Sequence, residues 1–337
     1  MSKQYLGLDI GNSAVKMAVC GPDAVHRLAV AELPENMVSG GRILSPASMS
    51  EFLRDMRREH HVSCRDAAVI LPEDVVFFRQ LVVPAMTADQ LAINLPYEFR
   101  DYISREKDLY FYDYAVVGRT DDENGAPEQF ELLAAAVLKE TIADYRDMLR
   151  RAGLRLRVAL PQEMAWSNLL RAYEARHPLG EAEEREREYC ILDIGHTSTR
   201  LHLFHGRKIE MSKVIEHGCS LVDAAIAETR DIDEHVARTH KVTDHEGAQT
   251  LEASLSVYSA IAIEVMKALN FHSYEHRDNR LERVHYCGGG ALLAPLIDTI
   301  AQAVHLPLAP IGELLPEIGS GAEDVLSCAA AVGAAQQ

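Results

Sequence analysis

The hydrophobic pattern changes period several times along the chain. Residues 5–19, YLGLDIGNSAVKMAV, begin as an apolar run, break at a glycine followed by polar residues, and resume as a second apolar run. That is the pattern of a buried strand, a tight turn and a second strand. Residues 189–203, YCILDIGHTSTRLHL, repeat it. Aligned without gaps, five of the fifteen positions are identical, Ser13 matches Thr197, and Lys16 matches Arg200. The repeat predicts two halves, each opened by the same hairpin.

Between the hairpins the pattern differs. Residues 75–83 are β-rich and end at Pro84. Thr87, with Gln90 three positions on, reads as a capping box that starts a helix running to about Tyr102, with Pro96 expected to kink or split it. Residues 109–117 and 130–138 are apolar and flank a polar stretch containing Asn124-Gly125, which predicts a β-hairpin. A helix over 139–152 closed by Gly153 and a strand over 154–160 follow. The order β-α-β-β-α-β is that of a ferredoxin-like unit, read as an inserted subdomain over 75–160. Residues 161–176 read as a helix with apolar Met164, Trp166, Leu169 and Leu170, and the charged run 180–188 as a solvated connector.

The second half predicts a strand over 208–216, a helix over 221–230, a polar helical or looped stretch over 232–244, and a long helix over 251–277. A strand over 284–290 then ends in three glycines. An apolar helix over 291–304 and a small-residue helix over 324–335 follow.

Composition adds limits. The 337 residues are 47% hydrophobic and 25% charged, enough for two cores. A net charge of −17 disfavours nucleic acid and anionic lipid as partners without forbidding a small nucleotide site. No apolar run is long enough for a membrane span, so direct membrane insertion is not expected, and the first residues carry no signal-peptide pattern. Six scattered cysteines without a CxxC pair predict buried, reduced thiols and a cytoplasmic protein.

The hairpins suggest phosphate chemistry. A strand–Gly–turn–strand turns backbone N–H groups inward and keeps side chains out of the way. Gly11, Asn12 and Ser13 in the first turn, and Gly195, His196, Thr197 and Ser198 in the second, are the candidate phosphate contacts. Asp9 and Asp193 at the strand ends can hold Mg2+ through water. Lys16 can reach a phosphate or point to solvent. One such hairpin alone reads equally as a β-turn with an aspartate cap; the pair carries the functional reading. Gly288, Gly289 and Gly290 follow a strand and open a helix, where a flat ring or phosphate can approach the backbone. They do not form GxGxxG, and the sequence lacks GxxxxGK[ST].

Two phosphate hairpins, a GGG-A loop and a small-residue C-terminal helix resemble the superfamily of actin, the heat-shock chaperones and the sugar kinases. The resemblance implies an α/β, two-lobed actin-like fold (a duplicated ribonuclease H-like unit) that holds ATP and Mg2+ in its cleft. The insert after the first hairpin, with LVVPAMTADQLAINLPYEFRDYI, LDIGNSAVKMAV and VHYCGGGALLAPL, resembles the FtsA branch and within it the PilM family of type IV pilus assembly proteins. On that resemblance residues 1–74 are the first lobe with hairpin one, 75–160 the insert, and 161–188 the connecting helix and linker. The second hairpin occupies 189–212, a smaller subdomain 213–283, the adenosine loop 284–323, and residues 324–337 return to the first lobe. The implied role is a cytoplasmic ATP-binding scaffold, peripheral to the inner membrane, that holds the N-terminal cytoplasmic peptide of a PilN-like membrane protein. Other platform proteins, pilus ATPases and further copies of the chain are candidate partners. The chain ends AAAVGAAQQ, without the basic amphipathic tail of FtsA. It departs from the family at VIEHGCSLVDAAIAE, where Cys219 follows Gly218 in place of a glycine pair.

Hydrolysis needs a residue that places water in line with the γ-phosphate. Gln162 in LPQEMA matches the family position, and a glutamine predicts slow turnover; it reads equally as a helix cap after Pro161. A small-molecule kinase and a filament former remain the alternatives to the scaffold. His217, His235, His240 and His245 read as surface or linker histidines. Residues 81–86 and Ile93, Tyr97, Phe99 and Tyr102 are candidates for a peptide groove, or else for core.

Overall fold

The computed structural model describes residues 4–21, 23–178, 180, 187–206, 208–319 and 324–337. Most of the expected connector, residues 181–186, lies outside the described residues.

Each half builds a sheet on the same plan. In the first, β1 (Tyr5–Ile10) and β2 (Ala14–Cys20) form the hairpin, β3 (Ala24–Glu32) adds antiparallel to β2, and a short pair, β4 (Val38–Ser39) and β5 (Arg42–Ile43), leads into α1 (Pro46–Glu59). Strand β6 (Asp66–Leu71) then runs parallel beside β1. In the second, β11 (Glu188–Ile194), β12 (Thr199–His205) and β13 (Lys208–Ile215) repeat the antiparallel trio, and β14 (Val284–Cys287) and β15 (Leu308–Pro310) add in parallel on the β11 side. With β10 (Arg155–Pro161) and β16 (Glu317–Ile318), the sheet orders are β10-β6-β1-β2-β3-β16 and β13-β12-β11-β14-β15, so the two lobes share the order third, second, first, fourth, fifth. The sixth strand of the first lobe, β16 (Glu317–Ile318), returns from the far end of the sequence to pair with β3.

The insert begins with β7 (Val76–Pro84) and α2 (Ala88–Glu98). Thr87 caps α2 as expected: its hydroxyl accepts from the Gln90 N–H, and the Gln90 side chain accepts from the Thr87 N–H. The helix contains Pro96 and ends at Glu98, before the expected Tyr102. Strands β8 (Tyr110–Asp121) and β9 (Pro127–Leu138) form the expected hairpin, and the sheet order is β7-β9-β8.

The expected six-element order is present, but its last two members belong elsewhere. Helix α3 (Lys139–Arg151) buries Tyr145, Met148 and Leu149 in the first-lobe core with Leu6, Leu8 and Leu53. Strand β10 (Arg155–Pro161) pairs with β6, and Asp66 accepts from both Arg155 and Arg157 across that edge. The compact insert is therefore residues 76–138. Element order alone does not distinguish a fourth insert strand from one that rejoins the preceding sheet.

Helix α4 (Gln162–Arg176) crosses between the lobes. Among the described residues the remaining α-helices are α5 (Cys219–Arg230), α6 (Glu234–Thr243), α7 (Glu252–Glu275), α8 (Ala294–Ala303) and α9 (Val325–Ala335). Helices α4 and α9 share one core with both sheets: Trp166 and Leu169 from α4 and Ala331 and Val332 from α9 lie with Ala18 and Ala68 of one sheet and Ile191 and Phe204 of the other. The small residues of α9 permit this density. A Cβ on Gly7 of β1 would collide with the Ala331 carbonyl. Burying polar backbone this closely against a helix is tolerable because both elements satisfy their own hydrogen bonds.

Candidate functional site

The two hairpins meet across a cleft of about 740 Å3 between the lobes. Their turns have the same backbone closure: Gly11 N–H donates to Ala14 O at 3.0 Å, and Gly195 N–H to Ser198 O at 2.9 Å. The tips touch, with Asn12 Nδ2 donating to Thr197 Oγ1 at 2.9 Å, while Asn12 Oδ1 accepts from the Gly41 N–H at 2.8 Å. All the sequence-derived candidates, Asp9, Gly11, Asn12, Ser13, Lys16, Gln162, Asp193, Gly195, His196, Thr197, Ser198 and Gly288–Gly290, line this one cavity.

Gly288 lies at the end of β14, where Asp193 pairs with Cys287 in the next strand. Its φ is +91°, and a Cβ there would meet the Ile194 carbonyl and, at 2.5 Å, Asp193 Oδ1. The position combines a backbone conformation that favours glycine with a close approach to the aspartate. Gly289–Leu292 then form a 3-10 turn, so α8 begins three residues later than the sequence suggests.

The floor of the cleft is ionic. Lys16 Nζ stands 2.9 Å from Asp9 Oδ2. Burial works to lower the Lys16 pKa, but Asp9 and then Asp193 outweigh it and raise the value, so the ammonium stays charged. Burial raises the Asp193 pKa; Lys16 opposes this and Asp9 adds to it. Two carboxylates thus share one ammonium.

Gln162 resolves the choice between cap and cleft residue. It opens α4 without a side-chain cap bond. Its Nε2 donates to Asp193 Oδ2 at 2.5 Å, and its Oε1 accepts from Arg200 Nη1 at 3.2 Å. Arg200 also approaches Glu73 of the first lobe at 3.6 Å. Glu163 lies beside it, accepting from Ser212 Oγ at 3.3 Å, its pKa raised by burial and, to a lesser extent, by Glu73.

Sequence reasoning missed the second-lobe wall. Arg238 and Lys241 on α6 line the cleft. Arg238 reaches Glu32 at 3.1 Å in the first lobe, and His235 pairs with Glu35 there. Lys241 forms a buried ion pair with Asp223 of α5 at 2.6 Å and donates to the Cys219 carbonyl. His196 lies 3.9 Å from Asp223, and burial, then Lys241 and Arg238, push its pKa down to about 4, so the imidazole is neutral. Arg200 was visible as the counterpart of Lys16; Arg238 and Lys241 belong to no motif and come into place only through packing. The departure at Cys219 has a local account: its N–H donates to the Gly195 carbonyl and that of Ser220 to the His196 carbonyl, docking the α5 N-terminus onto the second hairpin.

Among the groove candidates, Phe99 is fully buried in the insert core and is no surface residue. Val82, Ile93, Tyr97 and Tyr102 are exposed. Lys107 lies over the Tyr97 ring and Arg79 over that of Tyr102. The His240 and His245 rings pack at a tilt, 4.4 Å between centroids, and Arg230 holds the former. Among the described residues, no helix is long and apolar enough to cross a membrane.

The fold has counterparts among known structures. The structure of a PilM–PilN type IV pilus biogenesis complex aligns with a TM-score of 0.79 at 26% identity, covering 99% of this chain and 98% of that one. The ethanolamine utilization protein EutJ from Carboxydothermus hydrogenoformans aligns at 0.58 and 13% identity, covering 99% and 90%. MreB5 of Spiroplasma citri, bound to ADP, aligns at 0.52 and 13% identity, covering 98% and 94%. These two matches show the shared actin-like fold. No curated protein sequence matches the chain. The family described as type IV pilus assembly protein PilM matches residues 7–311. The chain belongs to the PilM family of type IV pilus assembly proteins.

Proposed function

We propose that this protein is an ATP-gated scaffold of the type IV pilus inner-membrane platform that grips the N-terminal cytoplasmic peptide of a PilN-like protein. The observation that carries the nucleotide part is the pair of hairpins, alike in turn geometry, that face each other across one cleft and touch through Asn12 and Thr197. The likeness to a PilM chain in complex with PilN supports the partner.

The residues suit a nucleotide with a hard cation. Asp9 and Asp193 at the strand ends are hard oxygen donors, and the bare Gly288 backbone leaves room beside Asp193 that a Cβ would fill. Asp9 and Asp193 would hold Mg2+ through water, and the metal would supply neutralisation of phosphate charge. The hairpin backbone and the Ser13 and Thr197 hydroxyls would take phosphate oxygens, with Lys16 adding positive charge beside them. Gly288–Gly290 would admit the adenosine. Gln162 positions water but is no general base, so hydrolysis is slow or absent and binding energy is the output. Closure by nucleotide alters the grip on the peptide, for which the exposed insert residues Val82, Ile93, Tyr97 and Tyr102 are candidates. The protein then reaches the inner membrane through its partner. The same chemistry suits a platform of the related type II secretion apparatus.

The test is calorimetric titration with ATP and Mg2+ of the wild type, Asp9→Ala and Asp193→Ala, followed by titration of the partner tail with and without nucleotide. Weakened nucleotide binding in both variants and a nucleotide-dependent tail affinity are the expected results. A folded, nucleotide-stripped wild type that gives no heat and does not compete with a fluorescent nucleotide would sink the reading. Unchanged tail binding by Tyr97→Ala would remove that residue from the groove.

A further inference from the structure

A second group of ionisable side chains lies in the second lobe, away from the cleft. Glu210 of β13, His272 in the last turn of α7 and His276 just beyond it bring one carboxylate and two imidazoles together, all ligand atoms within 4.8 Å of one another. None of the three lines the cleft. The His276 N–H donates to the His272 carbonyl at 2.9 Å, so the helical spacing extends to His276 and sets both rings on one face. The rings stack at 4.6 Å between centroids.

Glu210 Oε2 lies 3.6 Å from His272 Nε2, and Oε1 lies 4.0 Å from His276 Nδ1. Both separations exceed hydrogen-bond length. They are nevertheless short enough for one ion to bridge: two ligands each about 2.1 Å from a metal are at most about 4.2 Å apart.

We propose that Glu210, His272 and His276 form a divalent transition-metal site of the zinc type that fastens the end of α7 to β13. Two imidazoles and one carboxylate suit zinc or its neighbours and not Mg2+, which takes oxygen ligands.

The site lies at the C-terminal end of α7, where the helix carbonyls favour positive charge. His272 is 2% exposed. The side chain of His276 is 45% exposed, which leaves a path for entry.

The test uses the full chain without a histidine tag, stripped with chelator and titrated with Zn2+ against a fluorescent zinc chelator. The wild type is expected to bind one tight equivalent that millimolar Mg2+ does not displace. His276→Gln and Glu210→Gln, both at accessible positions, are each expected to weaken that equivalent tenfold or more and to remove the rise in melting temperature that Zn2+ gives. A His240→Gln, His245→Gln double variant is expected to bind as the wild type does. Unchanged affinity in His276→Gln and Glu210→Gln, or loss of the equivalent in the His240/His245 variant, would overturn the proposal. The buried His272 is left intact in every variant, so a folding failure there does not confuse the result.

Discussion

The two hairpins have the same backbone and opposite wiring. In the first, the basic residue folds back on its own strand: Lys16 pairs with Asp9 seven residues away. In the second, the equivalent Arg200 reaches across the cleft to Gln162 and Glu73, which the first lobe supplies. Asp193 likewise takes its hydrogen bond from Gln162. Lys16 finds its ion pair within its own lobe, whereas Arg200 and Asp193 find their side-chain partners across the cleft. On the proposed function, the duplicated fold divides its work: one copy binds, and the other registers the position of its twin. In this reading nucleotide affinity resides mainly with Lys16 and closure with Arg200 and Gln162.

That division can be broken at several points. The largest effect is expected beneath the second hairpin. Lys241 and Asp223 have side chains only 6% and 4% exposed. Lys241→Ala strands the aspartate, and removing one member of a buried pair costs about 3–5 kcal/mol. Chemical denaturation should show that loss, and a loss under about 1 kcal/mol would mean that the pair is hydrated. The next effect tests the first hairpin. Lys16→Met leaves two carboxylates without their ammonium, and ATP affinity is expected to fall by roughly 10- to 100-fold, about 1.4–2.7 kcal/mol. Retained affinity in titration calorimetry would move the binding role to the second copy.

The third concerns acid. Burial pushes the His202 pKa down to about 3. Because the folded value lies below the unfolded one near 6.5, the unfolded state binds more protons between those values. Stability is therefore full above about pH 6.5 and is lost as pH falls. His202 alone removes about 2 kcal/mol between pH 7 and 5, and His285, held at about 4, acts in the same direction. Melting temperature against pH should flatten over that interval in His202→Asn; an unchanged slope would assign the acid response to other groups. The smallest effect sharpens the comparison most. Arg200→Gln should alter ATP affinity less than Lys16→Met does, by under about threefold (0.65 kcal/mol), while abolishing nucleotide-dependent change in tail binding. Equal losses from both substitutions would erase the distinction between the copies.

Much of this was legible in sequence because the signals were local. The hairpins, the Thr87 capping box and the Asn124-Gly125 turn each depend on residues a few positions apart. The site was legible where it repeats: Asp9 predicts Asp193, and Lys16 predicts Arg200. Tertiary pairing was not. Nothing in residues 154–160 says whether that strand joins the insert or returns to β6, since either partner buries the same alternating side chains. Phe99 and Tyr97 lie two positions apart on one apolar stretch, yet one is core and the other surface. Arg238 and Lys241 enter the cleft only because α5 docks on the second hairpin and carries α6 with it. The His272–His276 spacing was visible on a long helix, but Glu210 lies some sixty residues upstream, and only the packing of α7 on β13 joins them.

The return of the C-terminal helix also sets an order of events during synthesis. The first lobe opens with β1 but its core is closed by α9, which packs on β1, β2 and α4, and its sheet is finished by β16. The Gly7–Ala331 contact spans almost the entire sequence. While a ribosome is still translating, the first lobe lacks a wall, and its β1–β2 face stays bare until the last helix emerges. The second lobe closes one core between residues 190 and 304, while its other face, with Ile191 and Phe204, waits for the same helix. The half made first is therefore finished only when the helix that closes both halves is made. The interval in which its apolar face is open to chaperones, or to another nascent copy, lasts as long as it takes to translate the second lobe.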